Sequence, residues 1–178
     1  QTLATDSQVE WAVPLSLGDS HKGYRVLGTT ADYFKHFSYS SGETLTFKNG
    51  HTFNRVFEVV LGHDAAKALG YKLNQEIIVA HGLGQTSFKL HDDNPFTIVG
   101  ILERTGTPVD KTIHVSLQGI EAIHRPGRHD NLSLTDSNMR PENITAVMLG
   151  LKSKIATFHV QRIINDYKQE PLTSILPG

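Results

Sequence analysis

The chain has 178 residues, 38% of them apolar, no cysteine and a formal net charge of -1. That length allows one domain or two small ones, and the near-neutral charge argues against an electrostatic nucleic-acid binder or a polybasic membrane patch. The missing cysteine excludes disulfides, zinc ribbons and cysteine nucleophiles, and no apolar run approaches the ~18 residues of a membrane helix.

No basic stretch followed by an apolar one opens the chain, so no secretory leader is expected. Val9, Trp11, Val13, Leu15 and Leu17 alternate with Glu10, Ala12, Pro14 and Ser16, which predicts a half-buried strand with an edge or bulge at Pro14. Gly18 to Gly23 reads as a polar turn and Tyr24 to Thr29 as a returning strand. Thr30 to Phe34 opens a short helix, with Thr30 as its expected cap. Ser38 to Glu43 reads as a linker or turn, and Asn49-Gly50 as a turn.

Phe57 to Leu61 predicts a short strand. Asp64 to Leu69 predicts one or two helical turns, ended by Gly70 in the left-handed region. Asn74 is expected at positive φ in the turn before a strand from Ile77 to Ala80. His81 to Asn94 fits a hairpin with tips at Gly82-Leu83-Gly84 and Asp92-Asp93-Asn94.

Phe96 to Leu102 is apolar and β-branched, hence a buried strand. Thr105-Gly106-Thr107-Pro108 stops pairing, because glycine tolerates positive φ and proline donates no hydrogen bond. A second strand starts at Thr112, and Ser116 is placed to cap a helix from Leu117 to His124, with Gly119 as a weak point inside it. Arg125 to Glu142 reads as a long surface loop. Ile144 to Leu151 predicts a strand. Ser153 is placed to cap a helix on which Ala156, Val160, Ile163, Ile164 and Tyr167 share a face. Leu172 to Leu176 reads as a last strand. The fold class is therefore α+β. A βαβ-like unit at the C-terminus needs partner strands, and the N-terminal strand is the obvious one. This predicts a discontinuous lobe from both chain ends with a β-rich lobe inserted.

Ten histidines invite a metal reading, since neutral imidazole suits zinc, copper or nickel. The candidate ligands are His81, His91 and Asp92, with Asp93 beside them, at the two ends of the expected hairpin. His124 and His129 form a second pair. No HExxH is present, and surface or capping roles are the simpler assignment. No GxSxG frames a serine; Ser87 and Ser116 have no motif around them. Neither Gly82-Leu83-Gly84 nor Gly106-Thr107-Pro108 has the pattern of a phosphate loop. No cofactor is expected. Asp110 is placed to bond backbone amides of the turn before it. Trp11, Tyr33, Phe34 and Tyr167 are most simply core.

Three stretches carry a family resemblance. Phe96 to His124 resembles the "FxVVGxLxxTGTPxDxxIxVxLxxxxxIH" passage of the extracytoplasmic domain of MacB/FtsX-type (type VII) ABC-transporter permeases. Arg25 to Phe34 is similar to that family's "VxGxxxxYF", and Val59 to Gly70 to its "VVLGxxxAxxLG". The resemblance implies a membrane-proximal, porter-like α+β subdomain from residues 1–41 and 142–178. It implies an inserted β-rich, sabre-like subdomain from residues 42–141. It also implies membrane helices before Gln1 and after Gly178, in a bacterial inner membrane, with this domain in the periplasm. The implied work is mechanical and non-catalytic: a cytoplasmic ABC ATPase drives the membrane helices, and the domain moves or releases a cargo. The implied partners are a second permease protomer, as homo- or heterodimer, and a periplasmic adaptor or chaperone. Thr107, Pro108, Asp110 and Lys111 are the implied protomer contact. The rival reading is a metal- or solute-binding periplasmic module of an importer.

Overall fold

The first strand, β1 (Val9–His21), continues past Leu17 to His21. Its register against β2 (Tyr24–Thr29) shifts between Leu17 and Ser20, a bulge that keeps the strand going. The polar run expected as a turn therefore shrinks to Lys22 and Gly23, at φ 47 and 84. Two positive φ values in a two-residue loop match the twist of the flanking strands. Asp19, Ser20 and His21 are buried; a distant segment pairs with Asp19 and Ser20.

The computed structural model describes residues 6–81, 94–125, 132–135, 139, 141 and 143–176. They divide into two units, residues 14–146 and residues 1–13 with 147–178.

In the larger unit, α1 (Asp32–His36) follows β2. Its N-cap is Ala31, which makes no side-chain cap bond; Thr30 contributes only its carbonyl, which accepts from Tyr33 N–H at 3.0 Å. Residues 38–44 form a small hairpin of β3 (Ser38–Tyr39) and β4 (Glu43–Thr44). Next come β5 (Phe47–Gly50), β6 (Glu58–Leu61) and α2 (His63–Leu69). Gly70 closes α2 at φ 67 and Asn74 turns the chain at φ 67, both as expected. The segment after Asn74 gives two very short strands, β7 (Glu76–Ile77) and β8 (Ala80–His81). The hairpin expected from His81 to Asn94 lies almost wholly outside the described residues. β9 (Phe96–Leu102), β10 (Thr112–Ser116) and α3 (Leu117–His124) complete the unit.

Its strands run in the order β1-β2-β10-β6-β9-β5, with β7 on β9 and β8 on β1. The sheet is mixed: β2 with β10 and β6 with β9 are parallel, and the other pairs are antiparallel. β9 buries Phe96, Ile98, Gly100 and Leu102, while Thr97, Val99 and Ile101 are only half-buried. Val26, Val59, Leu61, Phe96, Ile98, Ile113, Val115 and Ile120 share one core. Asn49-Gly50 is not a hairpin turn. The register of β5 against β9 shifts between Phe47 and Asn49; Gly50, at φ 77, ends the strand opposite Gly100, and a Cβ there would lie 1.9 Å from the Val99 carbonyl oxygen. Long-range pairing to β9 overrides the local turn signal. The stretch after Arg125 is more than a surface loop: Leu132, Leu134 and Met139 pack against Val56 and Ala122.

In the smaller unit, β11 (Ala146–Leu151) is the neighbour of β1, and Lys152 N–H donates to the Gln8 carbonyl at 3.0 Å. Both chain ends thus share one sheet. Trp11 is half-buried over Gly150, where an added Cβ would come within 2.0 Å of the indole. The Ser153 hydroxyl accepts from Ala156 N–H at 3.3 Å and leads into α4 (Ala156–Asp166). Ala156 and Val160 are buried, but Tyr167 lies past the helix end and is exposed, so it is not core. Residues 172–176 form no strand. Ile175 is 85% exposed there, and among the described residues the helix is preceded but not followed by a strand.

Candidate functional site

The turn between β9 and β10 is held by one carboxylate. Asp110 is buried, and its oxygens accept from Thr105 N–H (2.8 Å), the Thr105 hydroxyl (2.9 Å) and Gly106 N–H (2.7 Å). The Thr107 hydroxyl accepts from Val109 N–H at 3.3 Å and caps a single 3-10 turn, Pro108–Lys111. Burial alone would push the Asp110 carboxyl up, but the Thr105 and Gly106 bonds, helped by Arg104, together outweigh it and hold its pKa below the ordinary 3.8. α2 starts against the same turn. Gly62 N–H donates to the Thr112 carbonyl at 2.8 Å, and a Cβ on Gly62 would lie 2.2 Å from the Val109 oxygen.

The result is a stiff loop whose carboxylate faces inward. Of the four residues implied as a protomer contact, Pro108 and Lys111 are exposed, Thr107 is half-buried and Asp110 is buried. A depressed carboxyl pKa contributes stability above the unfolded-state value and loses it as pH falls through the folded one. Asp110→Ala is expected to cost about 2 kcal/mol at pH 7, since its charged bonds are lost while water can reach part of the turn. That cost should shrink below pH 3.8. Urea unfolding across pH checks both points.

The histidines among the described residues do not converge. Among the described residues no three His, Asp or Glu side chains stand close enough to hold a metal. His91, Asp92, Asp93 and His129 lie outside the described residues, and of His81 only the backbone position, in β8, is described. His21 is buried, with Nδ1 2.6 Å from the Ile78 carbonyl and Nε2 2.7 Å from the Tyr71 hydroxyl. His124 faces Asp19 at 3.5 Å, and that partner raises its pKa. His159 faces Asp6 at 3.2 Å. His114 is fully buried against Tyr33 and Phe34, at centroid distances of 5.4 and 5.5 Å. Ser116 is committed to structure: its hydroxyl donates to the Val56 carbonyl (2.8 Å) and accepts from Gly119 N–H (2.9 Å). Packing requires glycine at position 119 in α3, since a Cβ there would meet Phe96 and the Val56 carbonyl at 2.7 Å. Ser87 lies outside the described residues.

A groove of about 530 Å³ lies between β5, β9 and α2, with Lys48, Lys67 and Lys72 around Ala66, Leu73 and Ile101. No local pattern announces it, because its lysines come from separate elements.

A family model described as "MacB-like periplasmic core domain" matches residues 1–167. No curated protein matches the chain. The fold is similar to the periplasmic region of MacB from Actinobacillus actinomycetemcomitans, at 12% identity and a TM-score of 0.55, over 92% of this chain and 69% of that one. It is also similar to the extracellular domain of the noncanonic ABC-type transporter YknZ from Gram-positive bacteria. There the identity is 14% and the TM-score 0.55, over 92% of this chain and 79% of that one.

Proposed function

The chain belongs to the MacB-like periplasmic core domain family, and from that premise we propose that it transmits motion from the membrane part of an ABC-transporter permease to a cargo in the periplasm. The observation that supports this reading is the arrangement of the chain ends. The N-terminal segment enters through β1 and the C-terminal segment leaves through β11 and α4, in one unit whose two strands are neighbours. A displacement applied at either end loads adjacent, hydrogen-bonded strands. A paired strand transmits load better than a loop, because its backbone bonds act together across the ladder.

In this reading the domain is non-catalytic and sits outside a bacterial inner membrane. ATP hydrolysis belongs to a cytoplasmic ATPase reached through membrane helices, and the partner is a second permease protomer. An adaptor or chaperone receives the cargo. The porter-like and sabre-like division at 41/42 and 141/142 belongs to the same proposal; the compact units divide instead at 13/14 and 146/147. The protomer contact runs through the exposed tip, Pro108 and Lys111, while Asp110 holds the tip's shape.

The experiment uses the full-length permease with its ATPase. Lys111→Cys introduces a thiol into a domain that has no cysteine. The expected result is a cross-link between protomers whose yield changes about tenfold or more between the nucleotide-free and ATP-trapped states, a population shift of roughly 1.4 kcal/mol. Equal yields in both states would sink the coupling, and no cross-link in either would remove this tip from the interface.

A further inference from the structure

We propose that the groove between β5, β9 and α2 binds a small anionic amphiphile, one phosphate or carboxylate on a short apolar stem. Three cations reach it from separate elements: Lys48 from β5, Lys67 from the last turn of α2, and Lys72 from the segment after Gly70. All three are exposed, and no carboxylate is among the described residues that line the groove. The nearest acid on α2, Asp64, is turned to Arg104 at 3.9 Å. Helix carbonyl ends balance part of the Lys67 charge, but Lys48 and Lys72 have no such counter-charge. Like charges gathered around a concavity raise the local potential for an anion.

Charge alone would suit any anion; the floor narrows the class. Ala66 is buried in the main core, and Leu73 and Ile101 are half-buried against it. These side chains leave apolar surface open at the bottom of the groove, which a stem would cover. Tyr71 forms a fixed wall. Its hydroxyl is tied to His21 Nε2 at 2.7 Å, and the Lys22 ammonium sits 5.3 Å from its ring centroid. His63 Nδ1, also at this groove, is buried with no hydrogen-bond partner among the described residues. A volume of about 530 Å³ holds a ligand of this size.

This inference is independent of the transport reading, since it concerns one unit in isolation. The test titrates the 178-residue chain with octyl phosphate below its micelle concentration, at low salt, followed by amide NMR. Inorganic phosphate and octyl glucoside are the two controls. Shifts are expected at Ala66, Leu73 and Ile101, with each control binding at least about tenfold more weakly than octyl phosphate. Lys48→Glu with Lys72→Glu should weaken octyl phosphate by about tenfold or more, and added salt should do the same. Both lysines are exposed, so the variant is expected to fold, and its unshifted core amides verify that. Octyl glucoside binding as tightly would overturn the role of charge. Inorganic phosphate binding as tightly would overturn the role of the stem. An affinity unchanged in the double variant, or shifts elsewhere, would overturn the site.

Discussion

Between pH 6.5 and pH 4 the unfolding free energy is expected to fall by on the order of 3 kcal/mol through His114 alone. His114 is fully buried in β10, and burial lowers its pKa from 6.5 to about 4; only a long Nδ1 contact with the Val60 carbonyl, at 3.3 Å, opposes this. Nε2 has no hydrogen-bond partner among the described residues, and the ring lies against Tyr33 and Phe34. The neutral imidazole therefore suits the site and the imidazolium does not. Below pH 6.5 the unfolded chain takes up a proton that the folded chain refuses until about pH 4. The unfolded state then binds more protons, so stability rises with pH across that window and is complete above it.

His114→Leu tests this. Leucine has similar volume, and it removes two buried polar atoms that gain little from their surroundings. The variant should fold at pH 7. The difference between its stability and that of the parent should change by roughly 3 kcal/mol from pH 7 to pH 4, in favour of the variant. Taking the difference matters because His21, also lowered by burial, adds to the parent's slope, while His124, raised by Asp19, subtracts from it. A pH-independent difference would show that His114 is not the buried base.

His114 also marks how far the sequence can be read. Ten histidines point to metal binding, yet this one fills a core position between Ile113 and Val115 in a strand buried from Ile113 to Ser116. The elements fixed by neighbouring residues were legible: Ser116 caps α3, Gly70 ends α2, and Asn74 takes positive φ. In each case the cause lies within a few residues of the effect. Asn49-Gly50 misled because its partners, Ile101 and Gly100, come from a strand far along the chain. The extension of β1 to His21 was hidden for the same reason, since β8 supplies the pairing. Leu172 to Leu176 has strand composition but pairs with no strand among the described residues. The Thr105–Lys111 turn was legible as an aspartate-held turn, because its bonds span at most five residues. Its anchorage on Gly62 was not.

Gly62→Ala is expected to be the most damaging single-methyl change near that turn, costing about 3 kcal/mol or more. Gly62 has φ -65 and ψ 152, a conformation any residue adopts, so backbone strain is not the issue. Space is. The added Cβ would lie 2.2 Å from the Val109 oxygen and 2.6 Å from the Asp110 carbonyl carbon and oxygen. These are backbone atoms, and no side chain can swing aside. Either α2 retreats, exposing Ala65 and Ala66, or the turn moves and opens the Asp110 bonds to Thr105 and Gly106. Gly70→Ala supplies the contrast. It has nothing within 4 Å of the new Cβ, but its φ is +67. The cost there is the left-handed penalty of a single residue, roughly 1 kcal/mol. Urea unfolding of the two variants separates crowding from strain. In the full-length permease, Gly62→Ala should also abolish the nucleotide dependence of the Lys111→Cys cross-link, and Gly70→Ala should leave it intact. Equal stability loss in both variants would mean that α2 and the turn are not packed backbone to backbone.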